Sequence, residues 1–265
     1  MVRVRDVLRC MDEAAPFYMK MDFDNIGLMV GDPSHPVTRV LVALDATESV
    51  IAEAEAFGAE LIVTHHPLIF HPLKAVSAAD GVGRRVMRLV RSDTAVMSFH
   101  TNLDSAVGGV NDALMEVLGG RVTGLLAPHG IHPDGTPYGI ARLGELPEAL
   151  SVEAFLERVR KALNCAGLRY VAGNRPIRKI ACCGGAGGGE LGAVLAAGCD
   201  AYVTADLKYD QYLSAQEDGL TLIDADHFCT ENVVVPKLRE LLAKRFPELE
   251  VRVAESLAQT VRAYP

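Results

Sequence analysis

The chain has 265 residues, 49% of them apolar, and a formal net charge of −8. Such a composition supports a sizeable core and excludes a disordered chain, and the acidic balance disfavours a nucleic-acid binder, which needs clustered Lys and Arg for phosphate. No stretch offers the ~18 to 20 apolar residues of a membrane span, the opening MVRVRDVLRCMDEAAP is too charged for a secretory signal, and the six cysteines lack a C-x-x-C pair, so a reducing cytoplasm is the expected setting.

Short β-branched runs alternate with helical patterns from Val37 onward, the mark of βαβ units and a parallel sheet. Residues 38–45 (TRVLVALD) read as a buried strand and 48–57 as a helix that Gly58 ends. The strand 60–65 (ELIVTH) follows, then a helix over 84–91, a strand over 94–100 (TAVMSFH) and a helix over 110–118. Residues 119–147 are rich in Gly and Pro, which suggests extended or hairpin structure and a boundary. A helix over 152–163 leads to a second strand–helix series that starts at 179–183 (KIACC). The segment 249–257 alternates by twos, as an added edge strand would.

The two series share a pattern. Gly58-Ala59-Glu60-Leu61-Ile62-Val63-Thr64 aligns with Gly198-Cys199-Asp200-Ala201-Tyr202-Val203-Thr204 in helix stop, acidic residue, apolar strand and terminal Thr. The expected architecture is therefore α/β: two related half-domains arising by internal duplication, with a ligand site in the cleft between them. The expected division is a first lobe over 1–125, a connecting segment over 126–178 without a large inserted domain, and a second lobe over 179–265.

Three strand ends carry the chemistry. His65 and His66 close ELIVTH, where open α/β sheets place their sites. Asp104 follows the strand that ends in SFHTNLD and precedes a Gly-rich loop; as a lone loop Asp it would more simply be a turn or cap residue. His227 and Glu231 are four residues apart at the start of a helix, a spacing that puts both on one face. Three imidazoles and two carboxylates suit Zn, Mn, Fe, Co or Ni better than Ca or Mg. Five ligands exceed what one catalytic zinc takes from protein, so two ions bridged by a carboxylate are expected. His71 and His100 are candidates for orienting the ligands. Gly184, Gly185 and Gly187, between KIACC and a helix, make either an anion-binding turn or a tight structural one.

The motifs FDNIGLMVGD, ELIVTHHPLIF, SFHTNLDSAVGGVNDAL, CCGGAGG, YVTADLKYDQ and DADHFCTEN occur in this order from about Asp24 to Asn232. Together they resemble the Nif-three-like, or GTP cyclohydrolase 1 type 2 homologue, family of dinuclear-metal proteins. The resemblance implies a two-part α/β fold, a ring-shaped homohexamer and a two-metal site with ligands at His65, His66, Asp104, His227 and Glu231. The chain departs from the family pattern at Ala205 and Asp226, where Gly is common, and at Asp210, where His is frequent. Two functions follow from this reading. One is a metal-dependent hydrolase of a nucleotide-like or other small substrate; the other is a non-catalytic metal-binding protein for delivery, sensing or regulation.

Overall fold

The computed structural model describes residues 1–262. In chain order the elements begin with helix α1 (Val4–Ala14), strands β1 (Gly27–Val30) and β2 (Arg39–Ala43), and helix α2 (Glu48–Phe57). Then come β3 (Leu61–Thr64), α3 (Gly81–Arg91), β4 (Ala95–Ser98), α4 (Thr101–Ser105) and α5 (Val110–Val117). The middle of the chain forms β5 (Arg121–Leu125), β6 (Gly130–Ile131), β7 (Pro137–Tyr138), β8 (Arg142–Leu150), α6 (Val152–Ala162) and β9 (Arg169–Val171). The remainder is β10 (Ile177–Cys182), α7 (Leu191–Ala196), β11 (Ala201–Thr204), α8 (Tyr209–Glu217), β12 (Thr221–Asp224), α9 (His227–Glu231), α10 (Val234–Arg245) and β13 (Glu250–Val253). Among the described residues no helix is long and apolar enough to cross a membrane.

The chain divides into two compact units, residues 1–103 with 235–258, and residues 104–234 with 259–265. The first boundary thus falls at Leu103 and not near residue 125. Residues 126–178 supply β8 and β9 to the second unit's sheet, so they are part of its framework and not a connector. The expected last lobe also differs, because α10 from Val235 and β13 return to the first unit.

In the first unit the described strands pair in the order β1-β4-β3-β2-β13. β1 is antiparallel to β4, and the other pairs are parallel, with Val42 opposite Val63 and Val63 opposite Met97. β3 and β4 are buried at every position, as strands of a parallel sheet covered on both faces must be. α2 starts on Thr47, whose side chain accepts from the Val50 amide at 3.2 Å, and stops on Gly58 at φ 71°, a left-handed turn that costs glycine nothing.

In the second unit the described strands pair in the order β5-β8-β10-β11-β12-β9, with β10, β11 and β12 parallel and the rest antiparallel. Side chains alternate between two cores. Ile180, Cys182, Val203 and Ile223 join Leu114, Phe155 and Val159 in one core, whereas Ala181, Cys183, Tyr202 and Leu222 join Leu191 and Val194 in the other. Phe155 is fully buried, a contribution of about 1.5–3 kcal/mol.

The aligned segments occupy equivalent places. Gly58 and Gly198 both lie in the left-handed region after a helix, at φ 71° and 66°. Glu60 then accepts from the amides of Thr38 and Arg39 at the start of β2, and Asp200 accepts from those of Arg178 and Lys179 in β10, each pair at 2.8–3.0 Å. Thr64 and Thr204 both end their strands fully buried. The internal duplication read from seven residues therefore extends to the same carboxylate clamp on the same neighbouring strand.

Candidate metal centre

In the first unit the carboxyl ends of β3 and β4 bring His65, His66 and His100 together. One nitrogen from each ring lies within 4.8 Å of those of the other two, and the ring centroids are 5.0–5.6 Å apart. His65 is fully buried. Its Nδ1 faces the Phe99 carbonyl at 2.9 Å; a carbonyl only accepts, so Nδ1 carries the proton and, in the neutral ring, Nε2 keeps a lone pair. His66 Nδ1 is held by Asp45 Oδ1 at 2.8 Å, and His100 Nδ1 by Asp24 Oδ1 at 2.8 Å. Burial pushes the Asp24 carboxyl up, but the hydrogen bonds from His100 and Thr101 outweigh it and hold the group down at about 2. Asp24 is therefore an anion throughout the physiological range. His71 is exposed and packs edge-on against Phe70, whose ring in turn faces His100.

In the second unit α4 and α9 carry the carboxylates. Asp104 lies within α4, not in the loop after it, and is 8% exposed. One of its oxygens lies within 4.8 Å of a Glu231 oxygen. Glu231 is 3% exposed, and its Oε2 is 3.1 Å from Nε2 of His227. His227 Nδ1 is held by Asp206 Oδ2 at 2.7 Å. Two buried carboxylates this close repel unless positive charge lies with them.

Asp226 caps α9 by accepting from the Cys229 amide at 3.1 Å. It does so at φ 69° and ψ 139°, a conformation close to one that glycine alone adopts freely. The departure from Gly at this position thus exchanges backbone ease for a cap.

The glycine turn after β10 serves this same site. The amides of Gly184, Gly185 and Gly187 donate to Asn111 Oδ1, Thr230 Oγ1 and Thr204 Oγ1 at 2.7–3.0 Å. Protein acceptors thus take the donors an anion would need, and the tight structural turn is what the structure contains. A Cβ on Gly185 would collide with Glu231 Oε1 and stand 3.1 Å from His227 Nε2. Asn111, fully buried, also donates to the Asp104 carbonyl at 3.3 Å, and Arg142 donates to the next two carbonyls, Ser105 and Ala106, at 2.9 Å. Asn111 and Arg142 fix the backbone around one carboxylate, and Asn111 alone joins it to the turn that backs the other.

All four rings, His65, His66, His100 and His227, have Nδ1 on an oxygen acceptor, three of them a carboxylate. This is how metal-ligating imidazoles are oriented, with Nε2 left for the ion. The donor set fits borderline divalent metals by its mixture of imidazole and carboxylate. Asp24, Asp45 and Asp206 were not singled out in the sequence. Their signal is that each follows the apolar run of a strand or stands in a quoted motif (FDNIG, TRVLVALD, YVTAD).

Comparison with known proteins agrees with this arrangement. The chain is 36% identical over 249 residues, 92% of each chain, to a GTP cyclohydrolase 1 type 2 homolog of Clostridium perfringens. It is 34% identical over 273 residues to one of Streptomyces coelicolor, covering 100% of this chain and 95% of that one. Its fold superposes on a Staphylococcus aureus hypothetical protein with a TM-score of 0.92 at 28% identity and 99% coverage of both. A Bacillus cereus protein related to NIF3 has the same fold, with a TM-score of 0.93 at 24% identity, covering 100% and 99%. The model of the Duf34/NIF3 (NGG1p interacting factor 3) family matches residues 2–260, and the chain belongs to that family.

Proposed function

We propose that His65, His66, Asp104, His227 and Glu231 hold two divalent transition-metal ions, and that the protein is a metal-dependent hydrolase of a nucleotide-like or other small substrate. The carrying observation is the set of Nδ1 anchors, which presents Nε2 of His65, His66 and His227 as ligands. The buried pair Asp104 and Glu231 adds the negative charge that two cations require, and either carboxylate can bridge them. A bound pair of this kind supplies water with a pKa lowered toward ~7. The chain's own part is to keep the imidazole tautomers fixed, through Phe99 O, Asp45 and Asp206, and to hold Glu231 against His227 by the glycine turn. His100, locked to Asp24 beside His65 and His66, is placed to hydrogen-bond a polar group of a substrate. A cytoplasmic homohexamer is the assembly that the family resemblance supports.

Elemental analysis of the purified protein, followed by a screen of nucleotides and phosphoesters, tests this reading. About two ions per chain are expected, with turnover lost in His65→Ala and Glu231→Ala variants that keep the wild-type circular dichroism. Metal-loaded protein that turns over none of a broad panel, yet passes its metal to an apo-protein, would make it a carrier. Protein that takes up no transition metal in supplemented medium would end the proposal.

A further inference from the structure

Four of the six cysteines are chemically quiet. Burial pushes the thiols of Cys10, Cys182, Cys183 and Cys199 up, and Cys182 and Cys183 point to opposite cores. Cys165 and Cys229 differ. They share one core cluster, and their thiols hydrogen-bond to each other. Both line a cavity of about 430 Å³ with Arg169, Asp226 and Arg262, which gives a small polar reagent access to two sulfurs in contact. Cys165 Sγ also donates to the Ala225 carbonyl at 3.2 Å. That carbonyl lies where β12 passes into α9, the helix that carries His227 and Glu231.

We propose that Cys165 and Cys229 are a reversible dithiol–disulfide pair, closed by hydroperoxides and reopened by thiol reductants. Cys165 is the attacking sulfur. The S–H that Cys229 directs at it holds the Cys165 thiol below the usual cysteine range, against the effect of burial, and the thiolate is the nucleophilic form. Cys165 Sγ takes one peroxide oxygen, the O–O bond breaks, and water or an alcohol leaves, giving a sulfenic acid. Cys229 Sγ then attacks that sulfur, the S–O bond breaks, and the hydroxyl leaves as water with the Cys229 proton. The two thiols lose two electrons and the peroxide gains them. Closure also removes the S–H that reaches Ala225 O, so the junction into α9 loses a hydrogen bond whenever the pair is oxidised.

The test uses the full chain, reduced, freed of reductant and exposed to a small molar excess of hydrogen peroxide. Remaining thiols are then blocked with N-ethylmaleimide and mapped by mass spectrometry of unreduced digests. The expected result is a Cys165–Cys229 linked peptide, with the other four cysteines alkylated, and full reversal by dithiothreitol. Recovery of Cys165 and Cys229 as alkylated thiols, as sulfinic or sulfonic acids, or joined to another cysteine overturns the proposal. In Cys229→Ser, dimedone should label Cys165; in Cys165→Ser, preferential labelling of Cys229 would overturn the assignment of the attacker. The thiol map reads the pair whether or not the metal reading holds.

Discussion

Nε2 of His227 lies 3.1 Å from Oε2 of Glu231, one turn along α9, while Nδ1 of the same ring is held at 2.7 Å by Asp206. The ring is thus clamped from behind and aimed at a carboxylate that is itself buried. Asp206→Asn tests the clamp without disturbing the backbone, because Asn tolerates the left-handed conformation at φ 53°. Metal affinity should fall roughly 10–100-fold, the usual effect of losing a group that orients a ligand. Glu231→Gln should lower the bound-metal count itself. Competitive chelator titration distinguishes the two, and unchanged affinity in Asp206→Asn would remove Asp206 from the site.

Gly185 has φ 63° and no room for a Cβ beside Glu231. Gly185→Ala should therefore lose stability by roughly 1–3 kcal/mol, from the backbone conformation and from displacing the carboxylate. It should also lose metal. Gly189, whose added Cβ would meet nothing within 4 Å, is the matched control and should stay within about 0.5 kcal/mol of wild type. Urea unfolding of both variants, with metal analysis, decides the matter.

Asp226→Gly has the opposite expected sign. Glycine at a helix N-cap forfeits only a few tenths of a kcal/mol relative to Asp, whereas the strain of a non-glycine residue in this region is about 1–3 kcal/mol. The variant should be about 1 kcal/mol more stable than wild type. A lower thermal midpoint would show that the Asp226 cap outweighs the strain.

Burial pushes the Glu60 carboxyl up, but hydrogen bonds from the Arg39 and Thr38 amides and the Thr38 hydroxyl prevail and hold it below its ordinary value of 4.5. The folded value is the lower one, so this clamp contributes stability above pH 4.5 and loses it as the pH falls through the folded value. Glu60→Gln should flatten the acid limb of stability against pH in that window and leave the slope near neutrality unchanged. Parallel acid limbs in the two proteins would contradict the assignment.

The parts of the molecule set by local pattern were legible in the sequence. TRVLVALD, ELIVTH and TAVMSFH are runs that only buried parallel strands carry, and Gly58 and Gly198 mark helix ends by a conformation other residues resist. The H-x-x-x-E spacing sits on α9 as helical periodicity requires. What stayed hidden depends on contacts distant in sequence. Asp24 meets His100 from 76 residues away, and Asp45 and Asp206 each reach their histidine across 21. The pairing of β13 with β2 depends on register between strands about 200 residues apart, with Val251 opposite Val40. No local period encodes that choice.

That late pairing bears on how the chain is made. Residues 104–234 are one uninterrupted stretch, so the second unit has nearly all its parts while the end of the chain is still being synthesised. The first unit, although translated first, waits for α10 and β13 to complete its sheet edge. A nascent chain halted before Glu250 would present β2 as a bare parallel edge, a ready template for wrong partners. The usual order of vectorial folding, first made and first folded, is reversed here, and truncations at the carboxyl end should injure the amino-terminal unit before the middle of the protein.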